Sequence, residues 1–414
     1  MSFPAMAWRY LRFRWLVSLL TVAGIALGVA LVCGVLTIRH ESERAMATDA
    51  GLYDLVVGGK GSPLQLVLAS VYHLDEPPGN LPYRDARRIA RDPRVAWSAP
   101  IGLGDNYAGF RIVGTEASFF DLPDRDGAPF FRVARGTIFE DRFDVVLGSH
   151  VARETGLDLG DTFHGTHGLV DVPGAEVHRD FPYRVSGILA PTGSAQDRAI
   201  FGTLESVWEV HESDDRIHAA IQGRAMLGGE PEREATAVLV RLESPGLRLW
   251  MADEIRDWSD GIAAVPINEM MRFQRGIVGP AQRSLLAIAA AVVVVACLTV
   301  LTTLHQAAER RRRDIAILRS LGAARSEVAA LVFTEGLLLT GAGLGLGLLL
   351  GHGGLALAAV EIRDATGLVL DAWRIPRAEV IALGTMALCG AVASLIPAVS
   401  CYRRTPIDDL HVTD

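Results

Sequence analysis

The sequence predicts a polytopic α-helical membrane protein with four transmembrane helices and a large α+β domain inserted between the first and second. Two observations carry this. The apolar residues are gathered into four runs without a formal charge, at 15–38, 284–308, 336–360 and 380–402. The stretch at 39–283 instead alternates short β-branched segments with helical ones. Mean hydropathy is +0.27 over 414 residues, high for a soluble chain. At 1.5 Å per residue, a run of this length reaches roughly 35 Å, enough to cross a hydrocarbon core of about 30 Å.

The segments follow in chain order. Residues 1–14 read as an interfacial helix on the inner leaflet, with Trp8, Leu11 and the following Trp15 at helical spacing and Arg9 and Arg12 on another face. The first span is expected to be an uncleaved anchor, because its apolar run is longer than a signal-peptide core and no small-residue cleavage pattern follows it closely. In the 39–283 domain, strands are expected at 53–57, 111–114, 145–147, 183–189 and 237–242. Helices are expected at 83–91 and 247–258, and an inserted subdomain at roughly 130–190. The apolar run 63–74 is too short to span. It reads as a buried helix or as an apolar lip near the membrane. The second, third and fourth spans follow at 284–308, 335–360 and 380–402.

Orientation follows from Arg near the span ends. Arg9, Arg12 and Arg14 precede the first span, Arg310 to Arg313, Arg319 and Arg325 lie between the second and third, and Arg403 and Arg404 follow the fourth. The 361–379 loop carries three Arg against four acids. Both termini (the tail being 403–414) and the 309–334 segment are therefore expected in the cytoplasm, and the large domain outside. Net charge is −8, of which residues 15–283 carry −11, which argues against nucleic-acid binding. The four cysteines, Cys33, Cys297, Cys389 and Cys401, lie in or at the edge of spans, so the outer domain has no disulfide framework.

No phosphate loop, nucleophile elbow or HExxH motif occurs, and no catalytic residue is expected in this chain. His164 and His167, in HGTH, with His178 not far off, have metal-type spacing. Loop histidines of this kind are ordinarily solvated, and no metal is expected. Glu335 sits at the cytoplasmic end of the third span. It either pairs to lock the preceding segment or reaches headgroup water. Gly341, Gly343, Gly345, Gly347 and Gly351 place small residues at i and i+4, as in Gly341/Gly345, Gly343/Gly347 and Gly347/Gly351, which permits close helix approach and a gating contact.

The segment 309–328, ERRRRDIAILRSLGAARSEV, with Glu335 and the Gly-rich span after it, resembles the C-terminal signature of the FtsX/MacB-type ABC transporter permeases. VVLGSHVARETGLDLGDTF (145–163) and YRVSGILAPTGSAQDRAIFGTL (183–204) are similar to their periplasmic core domain. The N-terminal AWRYLRFRWLVSLLTVAGIALGVAL and the C-terminal IPAVSCYRRTPIDDL resemble the ends of the same family. The resemblance implies an inner-membrane permease of the mechanotransmission type with its large domain in the periplasm. It implies pairing with a second permease chain, same or different, and binding to a separate cytoplasmic ABC ATPase that holds the ATP and Mg. This chain would bind no cofactor.

The implied work is efflux of a small molecule or peptide, or lipoprotein release. The alternative is a signalling subunit that activates an envelope enzyme such as a cell-wall hydrolase. Membrane lipids, and in some members a periplasmic or outer-membrane protein, complete the implied partners. The ATPase-coupling segment maps onto Arg312, Arg313, Ile315, Leu318, Arg319, Leu321, Gly322 and Arg325. The residues themselves fit: Ile315, Leu318 and Leu321 form an apolar strip, the arginines can meet acids or lipid phosphates, and Gly322 would end the helix.

Overall fold

The computed structural model describes residues 3–124, 127–168, 177–221, 233–310, 312–320, 322–366 and 370–403. It divides into two compact units. A helical unit comprises Met1–Ser42, Ile277–Ile362 and Leu370–Asp414, and a sheet unit comprises Glu43–Gly276 and Arg363–Val369. The chain opens with α1 (Phe3–Phe13) and α2 (Trp15–Ala50), which break at Arg14. Trp8 of α1 and Trp15 of α2 are both exposed.

The sheet unit contains β1 (Leu55–Gly58), α3 (Pro63–Val71), β2 (Leu81–Pro82), α4 (Tyr83–Ala90), β3 (Val95–Tyr107) and β4 (Phe110–Thr115). It continues through β5 (Val133–Gly136), β6 (Asp144–Leu147), α5 (Ser149–Thr155), β7 (Thr162–His167), β8 (Val177–Leu189) and β9 (Ala199–Thr203). Then come α6 (Leu204–Ile221), β10 (Glu234–Ala235), β11 (Ala237–Leu242), α7 (Arg248–Trp258), β12 (Ile262–Ala264) and α8 (Pro266–Phe273).

Ten strands form one sheet in the order β12-β1-β11-β3-β4-β9-β6-β8-β5, with β7 pairing both β3 and β8. The bridge by β7 closes β3, β4, β9, β6, β8 and β7 into a six-stranded ring. Strand alternation sorts the cores at the open end of the sheet. Val56 and Leu239 face one cluster, with Leu66 and Val67 of α3 and Met270 of α8. Leu55, Val57, Val238 and Val240 face another, with Ala86 and Ile89 of α4 and Met251 and Ile255 of α7. A third core inside the ring region joins Ile112, Val145, Leu147, Val151, Phe163, Tyr183 and Ile200.

Within the run 63–74, Pro63–Val71 is a helix with a buried face, and Leu74 beyond it is exposed. Ser62 caps the helix, its hydroxyl accepting from the Gln65 amide at 3.4 Å, Pro63 starts it, and Leu66, Val67 and Val71 are fully enclosed. The apolar-lip reading does not hold for these three residues. Strand β3 carries no strand signal in its sequence, because Pro100, Gly102 and Gly104 interrupt it. The glycines are there for contact with α6: a Cβ on Gly102 would meet Leu204 at 2.9 Å, and one on Gly104 would run into the His211 ring.

The helical unit resumes after a π-helical turn, Gln274–Val278, with α9 (Gly279–Arg310), α10 (Arg312–Ser320), α11 (Arg325–Thr366) and α12 (Arg377–Arg403). Among the described residues, four helices, those containing α2, α9, α11 and α12, are long and apolar enough to cross a membrane. The helices outlast the charge-free runs, most of all α11, which starts ten residues ahead of the expected span at Arg325. Its first turns come from the charged segment, held by Glu327, whose carboxylate accepts from the Ala324 amide at 2.9 Å.

Candidate functional site

The charged segment folds as a short helix, a turn and the start of a long helix. The turn is made at Gly322, whose φ of +104° lies in the left-handed region, where a side chain would be strained. The Gly322 amide donates to the Arg319 carbonyl at 3.1 Å, which closes the end of α10. Ile315 packs inward, against a cluster of Ala308, Val328, Val332, Ala398 and Cys401. Ala316 is buried and Ile317 is 45 % exposed. Of the expected apolar strip Ile315, Leu318 and Leu321, the first alone has a described side chain. It packs against the chain's own core, and α10 spans Arg312–Ser320. Leu321 lies outside the described residues, as do the side chains of Arg312, Arg313 and Leu318. Arg319 is half-buried and Arg325 exposed.

The glycine-rich helix α11 has two different faces. A Cβ on Gly343 would approach Ile25 Cβ to 2.6 Å, one on Gly347 would approach Val29 Cβ to 2.5 Å, and one on Gly351 would approach Cys33 Cβ to 3.0 Å. These three glycines at i, i+4 and i+8 seat α11 on α2. A Cβ on Gly341 or Gly345 would meet nothing within 4 Å, so the expected Gly341/Gly345 contact is not made among the described residues. Helix α12 meets α11 through Gly336 against Ser394 and Gly390 against Thr340. Glu335, one turn into this contact, is only 5 % exposed, which goes against a carboxylate resting in headgroup water.

A further polar group in the same unit escaped the sequence reading. His352 of α11 and Glu379 of α12 are 1 % and 0 % exposed and lie 2.7 Å apart, Nε2 to Oε1. The His352 Nδ1 is 2.6 Å from the Ala372 carbonyl, so Nδ1 carries the proton and donates. Thr37 of α2 donates to Glu379 Oε2 at 3.3 Å, and Trp373 stacks on the His352 ring with centroids 5.9 Å apart. Three helices are thus tied at one point. Glu379 falls one residue before the charge-free run at 380–402, and histidine counts as uncharged, so the two residues passed unseen.

In the sheet unit, His164 and His167 do not act as a pair. His164 turns its Nδ1 toward the His178 carbonyl, at 3.3 Å, while His167 meets the side chains of Asp105 and His178.

The family model for the MacB-like periplasmic core domain matches residues 18–248, more than half of the chain. The chain belongs to this family. The model for the FtsX-like permease C-terminal region matches residues 286–406, which include the charged segment and the last two long helices of this MacB/FtsX-type permease. Among solved structures, the periplasmic region of MacB from Actinobacillus actinomycetemcomitans is similar at 12 % identity, covering 55 % of this chain and 97 % of that one, with a TM-score of 0.33. The extracellular domain of the noncanonic ABC-type transporter YknZ from Gram-positive bacteria is similar at 12 % identity, covering 51 % and 97 %, with a TM-score of 0.28. No curated protein matches the chain. The family makes this chain a membrane permease subunit of the ABC type, and it implies an ATPase partner and dimerisation.

Proposed function

We propose that this permease transmits ATP-driven motion of a separate cytoplasmic ATPase to its large outer domain, in the efflux of a small molecule or peptide or in lipoprotein release. The observation that carries this reading is the α10–Gly322–α11 segment. It is a basic helix and turn set between two long apolar helices, in a sequence without a phosphate loop. A helix placed there can take a push from a partner and pass it directly into α11, whose first turns belong to the same segment. The Gly343/Gly347/Gly351 seat on α2 gives that motion a close-packed surface to act on.

The test is capture of an ATPase subunit by the full-length chain from native membranes. The wild type should retain an ATPase, and Leu318→Asp should reduce retention by about 10-fold or more, since a charge is forced into an apolar contact. Undiminished retention by Leu318→Asp, or no ATPase bound to the wild type, sinks the coupling assignment. With the complex in nanodiscs, stimulation of ATP hydrolysis by amphiphiles or lipoproteins is the expected result. A rate that ignores them and answers only to a periplasmic hydrolase would replace transport by signalling.

A further inference from the structure

Asp105 stands on β3 directly opposite His167 of β7, and His178 stands on β8, the other neighbour of β7. Val177 is paired with Thr166, so the next residues, His178 and His167, share the opposite face of the ladder with Asp105. The Asp105 side chain is 1 % exposed. Its Oδ1 lies 3.2 Å from His178 Nε2 and 3.8 Å from His167 Nδ1, and one ligand atom from each of the three residues lies within 4.8 Å of the others. Its Oδ2 is buried and has no hydrogen-bond partner among the described residues. A buried carboxylate oxygen without a donor is unfavourable, and a cation removes that penalty.

From this geometry we infer a zinc-type metal site at Asp105, His167 and His178. Two imidazoles and one carboxylate are a donor set for borderline transition ions, whereas magnesium and calcium prefer oxygen alone. Bonds of about 2.0–2.1 Å in a tetrahedral shell put donors roughly 3.3 Å apart, close to the distances present. The widest separation is closed by His167, whose side chain is 53 % exposed and has room to turn.

His211 of α6 stands beside the group, its ring 5.8 Å from that of His167. Its Nδ1 lies 2.8 Å from the Val207 carbonyl and donates to it, which leaves the Nε2 lone pair for a fourth ligand position or for a water bound there. The site bridges β3, β7 and β8, the strands that complete the six-stranded ring. A bound ion would join the start and end of that ring, and metal supply to the outer domain would tune its rigidity.

The test uses the full-length chain in detergent, free of any histidine tag and stripped with chelator, titrated with Co²⁺ and then with Zn²⁺. One equivalent of Co²⁺ should give the visible absorption of a four- or five-coordinate ion, and Zn²⁺ should displace it. His167→Ala, an exposed position that leaves the fold intact, should weaken binding by roughly 100-fold. Asp105→Asn should do the same wherever it folds. Wild-type affinity in His167→Ala, or no stoichiometric Co²⁺ signal in the wild type, overturns the site. So does a signal that survives His167→Ala and disappears in His352→Ala.

Discussion

His73 follows α3 with a φ of +56°, and its ring is buried. Its Nε2 faces the Gln196 Oε1 at 3.1 Å, and Nδ1 has no partner among the described residues. Burial first, opposed by the bond to Gln196 and aided by the Arg111 charge, pushes its pKa down from 6.5 to about 4. The unfolded chain therefore takes up a proton that the folded domain refuses. Stability is full above about pH 6.5, falls between there and about pH 4, and levels off below. At 1.36 kcal/mol per unit, the loss from this residue is about 3 kcal/mol. Denaturant melts of the full chain at pH 7 and pH 4.5 should separate accordingly, and His73→Asn, which keeps the left-handed backbone, should shrink the gap.

The His352–Glu379 pair makes a different residue-scale prediction. Glu379→Ala leaves a buried imidazole nitrogen without its partner and should cost about 1–3 kcal/mol. Glu379→Gln should be much milder, because an amide N–H can donate to the same Nε2. Equal losses of thermal stability in the two variants would show that the hydrogen bond is not what matters there.

At the scale of the elements, the two glycine faces of α11 should behave differently. Gly343→Leu and Gly347→Leu would drive a side chain into Ile25 and Val29 of α2. Overpacking of this kind costs about 1–3 kcal/mol or more and should uncouple ATP hydrolysis from any work on the outer side. Gly341→Leu and Gly345→Leu point at open space within the chain and should leave its thermal stability within about 0.5 kcal/mol of wild type. Sequence spacing alone treats the five glycines as equivalent, since each has a partner four residues away. What distinguishes them is the position of α2. Helix α10 teaches the same lesson: the periodicity of Ile315, Leu318 and Leu321 marks an apolar strip, but the cluster around Val328 and Ala398 claims Ile315.

For the whole molecule, the four long helices were legible because nothing but bilayer-length apolar runs needs so many uncharged residues in a row. The strands β4, β6 and β11 were legible because their β-branched residues sit on two buried faces, and β8 only over its more buried end at 183–189. The resemblance in ERRRRDIAILRSLGAARSEV and the outer-domain segments pointed to the family that the two family models then identify. Strand β3 was not legible, because its glycines and proline are explained only by the helix that lies on them. Nor was the grouping of Cys33, His352 and Glu379, or the meeting of Asp105 with His167 and His178, because the partners are far apart along the chain.

Composition was enough to mark the four long apolar helices, and the quoted motifs were enough to point to the family, because each depends on residues near one another along the chain. Which glycines touch, which histidine meets which carboxylate, and how a β-ring closes had to await the fold. Those properties depend on short-range contacts between distant segments, and a change of one strand register would move every one of them to another face.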